Sequence, residues 1–592
     1  MTTTAVPTEA ADRYKWTALS NTTLGMFMAS LDASIVLIAL PAIFRGIHLD
    51  PLEPSNIGYL LWMLMGYLVV TAVLVVTFGR LGDIYGRVKM YNAGFAVFTL
   101  ASIALSLTPG VGSAGAMQLI IMRVVQGIGG ALLMANSTAI LTDAFGPEER
   151  GMALGVNMVA GIAGSFIGLV LGGVLADINW RLVFWVNVPF GLFGTVWAYL
   201  KLRETGSRKP AKLDWAGNIT FAVGLISILV GITYGIQPYG GHTMGWTNPV
   251  VLAELIGGAL LLVLFCLIET RVEDPMFHLD LFKIRAFTCG NISNFLCSIG
   301  RGGLQFMLII WLQGIWLPLH GYSFEKTPLW AGIYMLPLTA GFLVAALSGR
   351  LSDRYGARPF ATGGMLIGAL SFALLMLLPA NFTYLPFAGL LLLLGVGMGL
   401  FAAPNTASIM SSVPNDQRGA ASGMTATFRN TGMVLSIGVF FSLMVLGLAS
   451  ALPHSLYTGL TANGVPSADA TRLSHLPPVG TLFAAFLGYN PIKTLLGPQV
   501  LGGLPPARVA YLTGRSFFPG LISHAFITGL RITFMTSIVM FLVAALASWM
   551  RGGTYGTGTK AAEKQRALER QAEGDAMDDA AEMPPPEQWV PA

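Results

Sequence analysis

Gly79-Arg80-Leu81-Gly82-Asp83-Ile84-Tyr85-Gly86-Arg87 and Gly349-Arg350-Leu351-Ser352-Asp353-Arg354-Tyr355-Gly356-Ala357-Arg358 are two copies of one short pattern, 270 residues apart. A second pair, Arg150-Gly151-Met152-Ala153-Leu154-Gly155 and Arg418-Gly419-Ala420-Ala421-Ser422-Gly423, lies 268 apart, and Ala135-Asn136 returns as Pro404-Asn405 at 269. Three concordant offsets mark an internal duplication. The chain therefore reads as two related halves, and each copy of the pattern sits between long apolar runs.

Those runs dominate the composition. Of 592 residues, 54% are hydrophobic and 11% charged, whereas an ordinary soluble domain carries about 25% charged residues. A soluble surface of that size cannot be built from this inventory. Seventy-one glycines and a mean hydropathy of +0.67 fit helices packed in lipid, where small residues let backbones approach. The net charge of +5 belongs to basic loops facing anionic lipid, so membrane lipid is an expected partner and nucleic acid is not. Cys266, Cys289 and Cys297 lie in apolar stretches without CxxC or metal-ligand spacing, so neither a disulfide nor a metal site is expected.

A helix needs roughly 20 mostly apolar residues to cross hydrocarbon. Such runs lie near 16–44, 58–79, 90–109, 117–141, 152–176, 181–200 and 215–236, and again near 249–268, 286–317, 329–349, 359–378, 384–409, 420–448 and 524–550. That is about fourteen spans, an even number that places both termini on one side. Lys201, Arg203, Arg208, Lys209 and Lys212 crowd one connection, and Arg80, Arg87 and Lys89 another. By the positive-inside rule these loops and both termini face the cytoplasm. The first span is too long for a signal-peptide core and carries no cleavage site, so it reads as an anchor in the plasma membrane.

The expected organisation is an all-α integral membrane protein of two six-helix bundles with two extra helices between them. A cytoplasmic segment 1–15 precedes the first bundle at 16–200, and 201–285 holds the two linker helices. The second bundle covers 286–550, with a Gly/Pro-rich outer loop at 450–520, and 551–592 is a charged, disordered cytoplasmic tail. Transporters built from parallel repeats place their substrate between the halves.

The loop from Gly79 to Lys89 resembles the cytoplasmic signature of the major facilitator superfamily, Gly-x-x-x-Asp-Arg-x-Gly-Arg-x-Lys, with Ile84 in place of the usual basic residue. The resemblance extends to that superfamily's fourteen-helix drug:proton antiporters and covers nearly the whole chain outside the outer loop and tail. Leu31-Asp32-Ala33-Ser34 through Ala39-Leu40-Pro41 is similar to their first-span motif, with Leu37 at the consensus asparagine. Arg123-Val124-Val125-Gln126-Gly127 resembles the intramembrane arginine motif that the family links to proton transfer. Gly168-x-x-x-Gly172-Gly173 resembles the antiporter-motif helix, but Leu169 stands where the family has proline, and Trp180-Arg181 and Phe184-x-x-Asn187-x-Pro189 continue the match. Gly321-Tyr322-Ser323, Pro337 and Arg429-x-x-Gly432 also follow the family pattern.

The resemblance implies proton-coupled export of small, partly apolar compounds by alternating access, multidrug efflux included, with a proton gradient and no cofactor as energy source. Asp32 and Arg123 are the expected proton-coupling residues, since an ionisable side chain at mid-bilayer is costly and needs a partner. Arg301, Trp62, Tyr67, Gln126 and Gln313 are the expected cavity residues. Gly79, Asp83, Gly86, Arg87, Gly349, Asp353, Gly356, Arg358, Arg150 and Arg418 form a conformational latch at the cytoplasmic face. The offset of 269 places Arg301 opposite Asp32, and these two are expected to form a charge pair across the cavity, beside glycines that let the helix open.

Four other readings share some of these features. A proton-coupled importer or uniporter would have the same architecture, and Leu169 keeps it open. A polytopic membrane enzyme would need a catalytic cluster, and the chain has no HExxH, paired-Asp motif or nucleophile elbow; an ATP-driven pump would need a phosphate loop, which is also missing. A sensor would carry a soluble signalling domain. Drug, lipid-precursor and siderophore export all fit the sequence, and no feature of it sets an oligomeric state.

Overall fold

The computed structural model describes residues 8–552 except 51–52, 147–148, 205–213, 273–274, 276 and 415–416. Most of the expected tail, the first seven residues, and Arg208, Lys209 and Lys212 of the basic connection lie outside the described residues, as do the side chains of Arg150 and Asp353. Among the described residues, regular structure is helical apart from one isolated bridge between Tyr239 and His242. Helices satisfy every backbone group internally, which lipid demands.

Among the described residues, fourteen helices are long and apolar enough to cross a membrane. They are α1 (Arg13–Gly46), α2 (Gly58–Tyr85), α3 (Arg87–Ser106), α4 (Gly112–Ala144), α5 (Met152–Ile178), α6 (Leu182–Lys201) and α7 (Trp215–Gly235). The series continues with α8 (Pro249–Glu269), α9 (Arg285–Leu319), α10 (Thr327–Ser352), α11 (Ala357–Leu375), α12 (Tyr384–Ser411), α13 (Ala420–Thr461) and α14 (Phe517–Met550). Helices α1 to α6 pack on one another, as do α9 to α14, while α7 and α8 pair together and α7 touches α2 and α13.

The duplication is visible in the packing. Gly164 of α5 lies against the Phe27 carbonyl of α1, and Gly432 of α13 lies against the Phe295 carbonyl of α9, so both contacts repeat at an offset of 268. At the two signature turns, Gly86 has φ 111° and Gly356 φ 85°, left-handed conformations that favour glycine. Each reverses the chain sharply between two spans, and each N–H closes back on the preceding helix, at Gly82 O (2.9 Å) and Ser352 O (2.8 Å).

Two expectations about backbone shape are corrected. Helix α9 is unbroken through Gly300, Gly302 and Gly303; these glycines admit Phe541 of α14 and Met433 and Ser436 of α13 rather than opening the helix. Its irregular stretch is a π-helical turn at Trp311–Trp316. The stretch 450–520 is not a loop. Helix α13 continues to Thr461, and short helical segments follow at Ser467–Ser474, Pro478–Phe486, Ile492–Gly502, which is kinked at Gly497, and Pro506–Leu512. Each has proline at its N-cap, Pro466, Pro477, Pro491 and Pro505, so the prolines that read as loop formers are helix starts.

This insert plugs one end of the molecule. All nine residues of Pro478–Phe486 are buried. Phe483 stacks on Phe441 of α13 (5.3 Å), Phe486 meets Phe306 of α9 edge-on (5.6 Å), and Arg45 of α1 donates to the Leu487 carbonyl at 3.0 Å. The insert thus ties both halves together at the end opposite the signature turns.

Candidate functional site

The first half contains a buried polar network in an otherwise apolar bundle. Asp32 of α1 is 0% exposed and Arg123 of α4 is 2% exposed. Arg123 Nη1 donates to Asp32 Oδ2 at 2.5 Å and to Gln126 Oε1 at 2.6 Å. Gln126 Nε2 donates to Asp32 Oδ1 (2.9 Å) and to Ser102 Oγ of α3 (2.9 Å), and Asn187 Nδ2 of α6 donates to the same Asp32 Oδ1 at 2.8 Å. The guanidinium lies over the Tyr67 ring of α2, 4.6 Å from its centroid. Five helices therefore contribute to one network, and two of them, α4 and α6, bond the Asp32 carboxylate directly.

The network is full on the carboxylate side and incomplete around it. Arg123 Nε, Asn187 Oδ1 and the Tyr67 hydroxyl are buried without hydrogen-bond partners. Each unmet buried group costs about 1–3 kcal/mol, so the arrangement is tense around a well-bonded centre. A buried ion pair resists loss of one partner by about 3–5 kcal/mol, because the remaining charge is stranded.

Asp32 thus pairs with Arg123 of its own half and not with Arg301. The packing offset of 268 makes Gly300 the counterpart of Asp32, and Arg301 the counterpart of Ala33. A one-residue slip turns a helix by about 100°, enough to move Arg301 from the bundle interior to a neighbouring face. The second half has leucine at the positions matching Arg123 and Gln126, Leu391 and Leu394. It carries no copy of the network.

Of the expected cavity residues, Tyr67, Gln126 and Gln313 are buried inside packed protein, while Trp62 and Arg301 are half-buried. Gln313, in the π-helical turn of α9, donates to the Ile38 carbonyl of α1 at 3.3 Å and so joins the halves. On α5, Gly168 and Gly172 admit Ser34 and Ile38 of α1, and Gly173 meets Leu329 at the start of α10. Gly332 of α10 in turn faces the Leu169 carbonyl. With Leu169 in place of proline, α5 is one continuous helix within Arg150–Ile178.

At the opposite end, Arg87 bonds Asp83 Oδ1 through Nη2 (2.7 Å) and Asp143 Oδ1 through Nη1 (2.6 Å), fastening the signature turn to the last turn of α4. Gly79 stands near Ala135, and Gly349 near Ala403 in the same relation. Arg358 instead lies 3.9 Å over the Trp549 ring of α14. The Nε atoms of Arg358 and Arg418 are buried without partners. Sequence reading missed Ser102 and gave Asn187 no role; a polar side chain in mid-span was the available signal for each.

A duplicated set of membrane-crossing helices, with a carboxylate and an arginine paired in the interior of one half, defines a multi-pass membrane transporter of small molecules. The family profile of the Major Facilitator Superfamily matches residues 22–437, and the chain belongs to that superfamily. It is 27% identical over 534 residues to the multidrug transporter protein MdtP of Bacillus subtilis, covering 88% of this chain and 90% of that protein. It is 28% identical over 539 residues to the tetracenomycin C resistance and export protein of Streptomyces glaucescens, covering 90% of each. Among solved structures, a bacterial homologue of the human lysosomal transporter Spinster, inward-facing and unoccupied, shares the fold at TM-score 0.52 and 15% identity, over 92% of this chain and 99% of that one.

Proposed function

We propose that this chain exports small, partly apolar compounds from the cytoplasm in exchange for protons, by rocking its two halves about a central cavity. The observation that carries the proposal is the buried Asp32–Arg123 pair with its Gln126 and Asn187 donors. A carboxylate at this depth is tolerable while Arg123 neutralises it, and becomes neutral in another way when it accepts a proton. Proton arrival leaves Arg123 with only the Gln126 oxygen and the Tyr67 ring, so the hold between α1 and α4 weakens. Proton loss restores it. The proton gradient then biases which of two packings the bundle adopts.

In this reading the termini and signature turns are cytoplasmic and the insert is outside the plasma membrane. The contacts of Gly173 with Leu329, Gln313 with Ile38 and Arg45 with Leu487 then close the outer side. The names of the two relatives, one a multidrug transporter and one an export protein, support the outward direction. The unbroken α5 favours a second reading, an importer or uniporter on the same scaffold. Counterflow in oriented vesicles tests the choice: uptake into everted vesicles driven by an acidic lumen supports export, and uptake only into right-side-out vesicles supports import.

A further inference from the structure

The six spans α9 to α14 contain no Asp or Glu, yet α9 carries Arg301 and α13 carries Arg429. Neither guanidinium has a hydrogen-bond or ion-pair partner among the described residues. Each instead lies within electrostatic range of the other, like charge against like charge. Such an arrangement is costly in a membrane bundle unless something anionic joins it.

The side chains face the seam between the halves. On α9, Asn294, Arg301 and Gln305 share one partly exposed face, at helical spacing, while Ser293 and Gly300 face α14 on the other side. On α13, Gly432 packs against Phe295 and Ser298 of α9, Gly423 stands nearest Val76 of α2, and Gly438 meets Ile232 of α7. At about 100° per residue, Arg429 projects about 60° from Gly432 on the arc toward Gly423, away from α7. It points between α9 and α2, and it is exposed although it lies about 16 Å along its helix from Arg418. Since Ser298 lies level with Gly432, the two arginine backbones differ by about 9 Å in height, less than the combined reach of two extended arginine side chains. Phe295 and Phe428, edge to face at 6.1 Å, stand beside them.

We propose that Arg301 and Arg429 form an anion site in the seam, and that the transported compound is an organic anion, a carboxylate, sulfonate or phosphate on an apolar body. Two planar guanidinium forks match the oxygens of such groups, and the adjacent aromatic rings match the body. The first half supplies no competing acid, because the Asp32 oxygens are already taken. The proposal names the substrate class for the transport proposed above and rests on that reading.

The test is equilibrium binding to the full chain in phosphatidylcholine nanodiscs, using 1-pyrenebutyrate and 1-pyrenebutylamine, which share a body and differ in charge. The expected result is saturable binding of the carboxylate at least tenfold tighter than the amine. Arg301→Gln and Arg429→Gln should each weaken the carboxylate about tenfold, with the melting temperature unchanged, and Arg429→Lys should retain part of the affinity. Equal or tighter binding of the amine, no saturable carboxylate binding, or full affinity in both Gln variants would overturn the site. Displacement of the probe by added phosphatidylglycerol would overturn the soluble substrate and assign the arginines to a lipid headgroup. If gradient-driven flux survives in Asp32→Asn while the arginine effects hold, the coupling reading fails alone; if coupling holds and charge preference is absent, the anion site fails alone.

Discussion

Arg123 reaches across the first bundle to Asp32 at 2.5 Å, and among the described residues no other carboxylate joins that network. The pair joins α1 to α4 and is roofed by Tyr67. Asp32→Asn keeps the size and most hydrogen bonds of the side chain but strands the Arg123 charge. We expect gradient-driven flux to be lost and stability to fall by about 3–5 kcal/mol. Asp32→Asn combined with Arg123→Gln should recover much of the stability and none of the coupling. Thermal unfolding and vesicle flux on the single and double variants check this, and full additivity of the two stability losses would count against a direct pair.

The signature turn is held by half-exposed ion pairs between Arg87 and both Asp83 and Asp143, each worth about 0.2–1 kcal/mol. Asp83→Asn should therefore slow turnover while leaving ligand affinity within about twofold. Measuring the half-saturation constant and maximal rate separately decides it: a selective affinity loss at normal rate would contradict a latch.

A side chain at Gly173 would run into the Leu329 backbone, where α5 closes on α10. Gly173→Val should keep the chain folded in the membrane but hold the insert end open. Cysteines placed at Ala176 and Trp330, reacted with a membrane-impermeant maleimide, should label faster in the Val variant than in the parent. Equal labelling would show that this contact does not control closure.

Glu325, in the turn between α9 and α10, is held below its ordinary value of 4.5 by a backbone hydrogen bond, with Ser323, Arg45 and Arg515 adding to the effect. A lowered carboxyl contributes stability that is full above 4.5 and fades as pH falls through the lower value. Closure of the insert end should accordingly be flat from neutral pH down to about 5 and loosen below about 4.5. Glu325→Gln should remove that pH dependence; the same maleimide accessibility, followed from pH 7 to 3.5 with a thiol reagent active in acid, measures it. A transition above pH 5 would contradict the assignment.

Much of the fold follows from local chemistry that sequence displays directly. Apolar runs of spanning length appear as fourteen helices, and the repeated Gly86 and Gly356 turns fix the two-fold pattern. The site was legible in its residue types, because Asp32, Arg123 and Gln126 stand out as polar groups in apolar runs. Their partnership was not. Duplication invited a symmetric pairing of Asp32 with Arg301, but repeat offsets drift by a residue or two through the loops, and one residue is enough to rotate a side chain onto another face. The network is also asymmetric, with leucines in the second half at the matching positions. The insert was misread for a related reason: proline weighs as a loop former in composition, while Pro466, Pro477, Pro491 and Pro505 act by position, at helix starts.

Whether Asp32 links compound export to proton entry is read from the lumenal pH of everted membrane vesicles containing the chain. With an acidic lumen and a pH-sensitive dye, a panel of amphipathic compounds of both charges is added one at a time. At least one compound should alkalinise the lumen as it accumulates, and Asp32→Asn vesicles, matched for protein, should show neither response. Accumulation that persists at the same rate after the gradient is collapsed, or in the Asp32→Asn vesicles, would contradict that link.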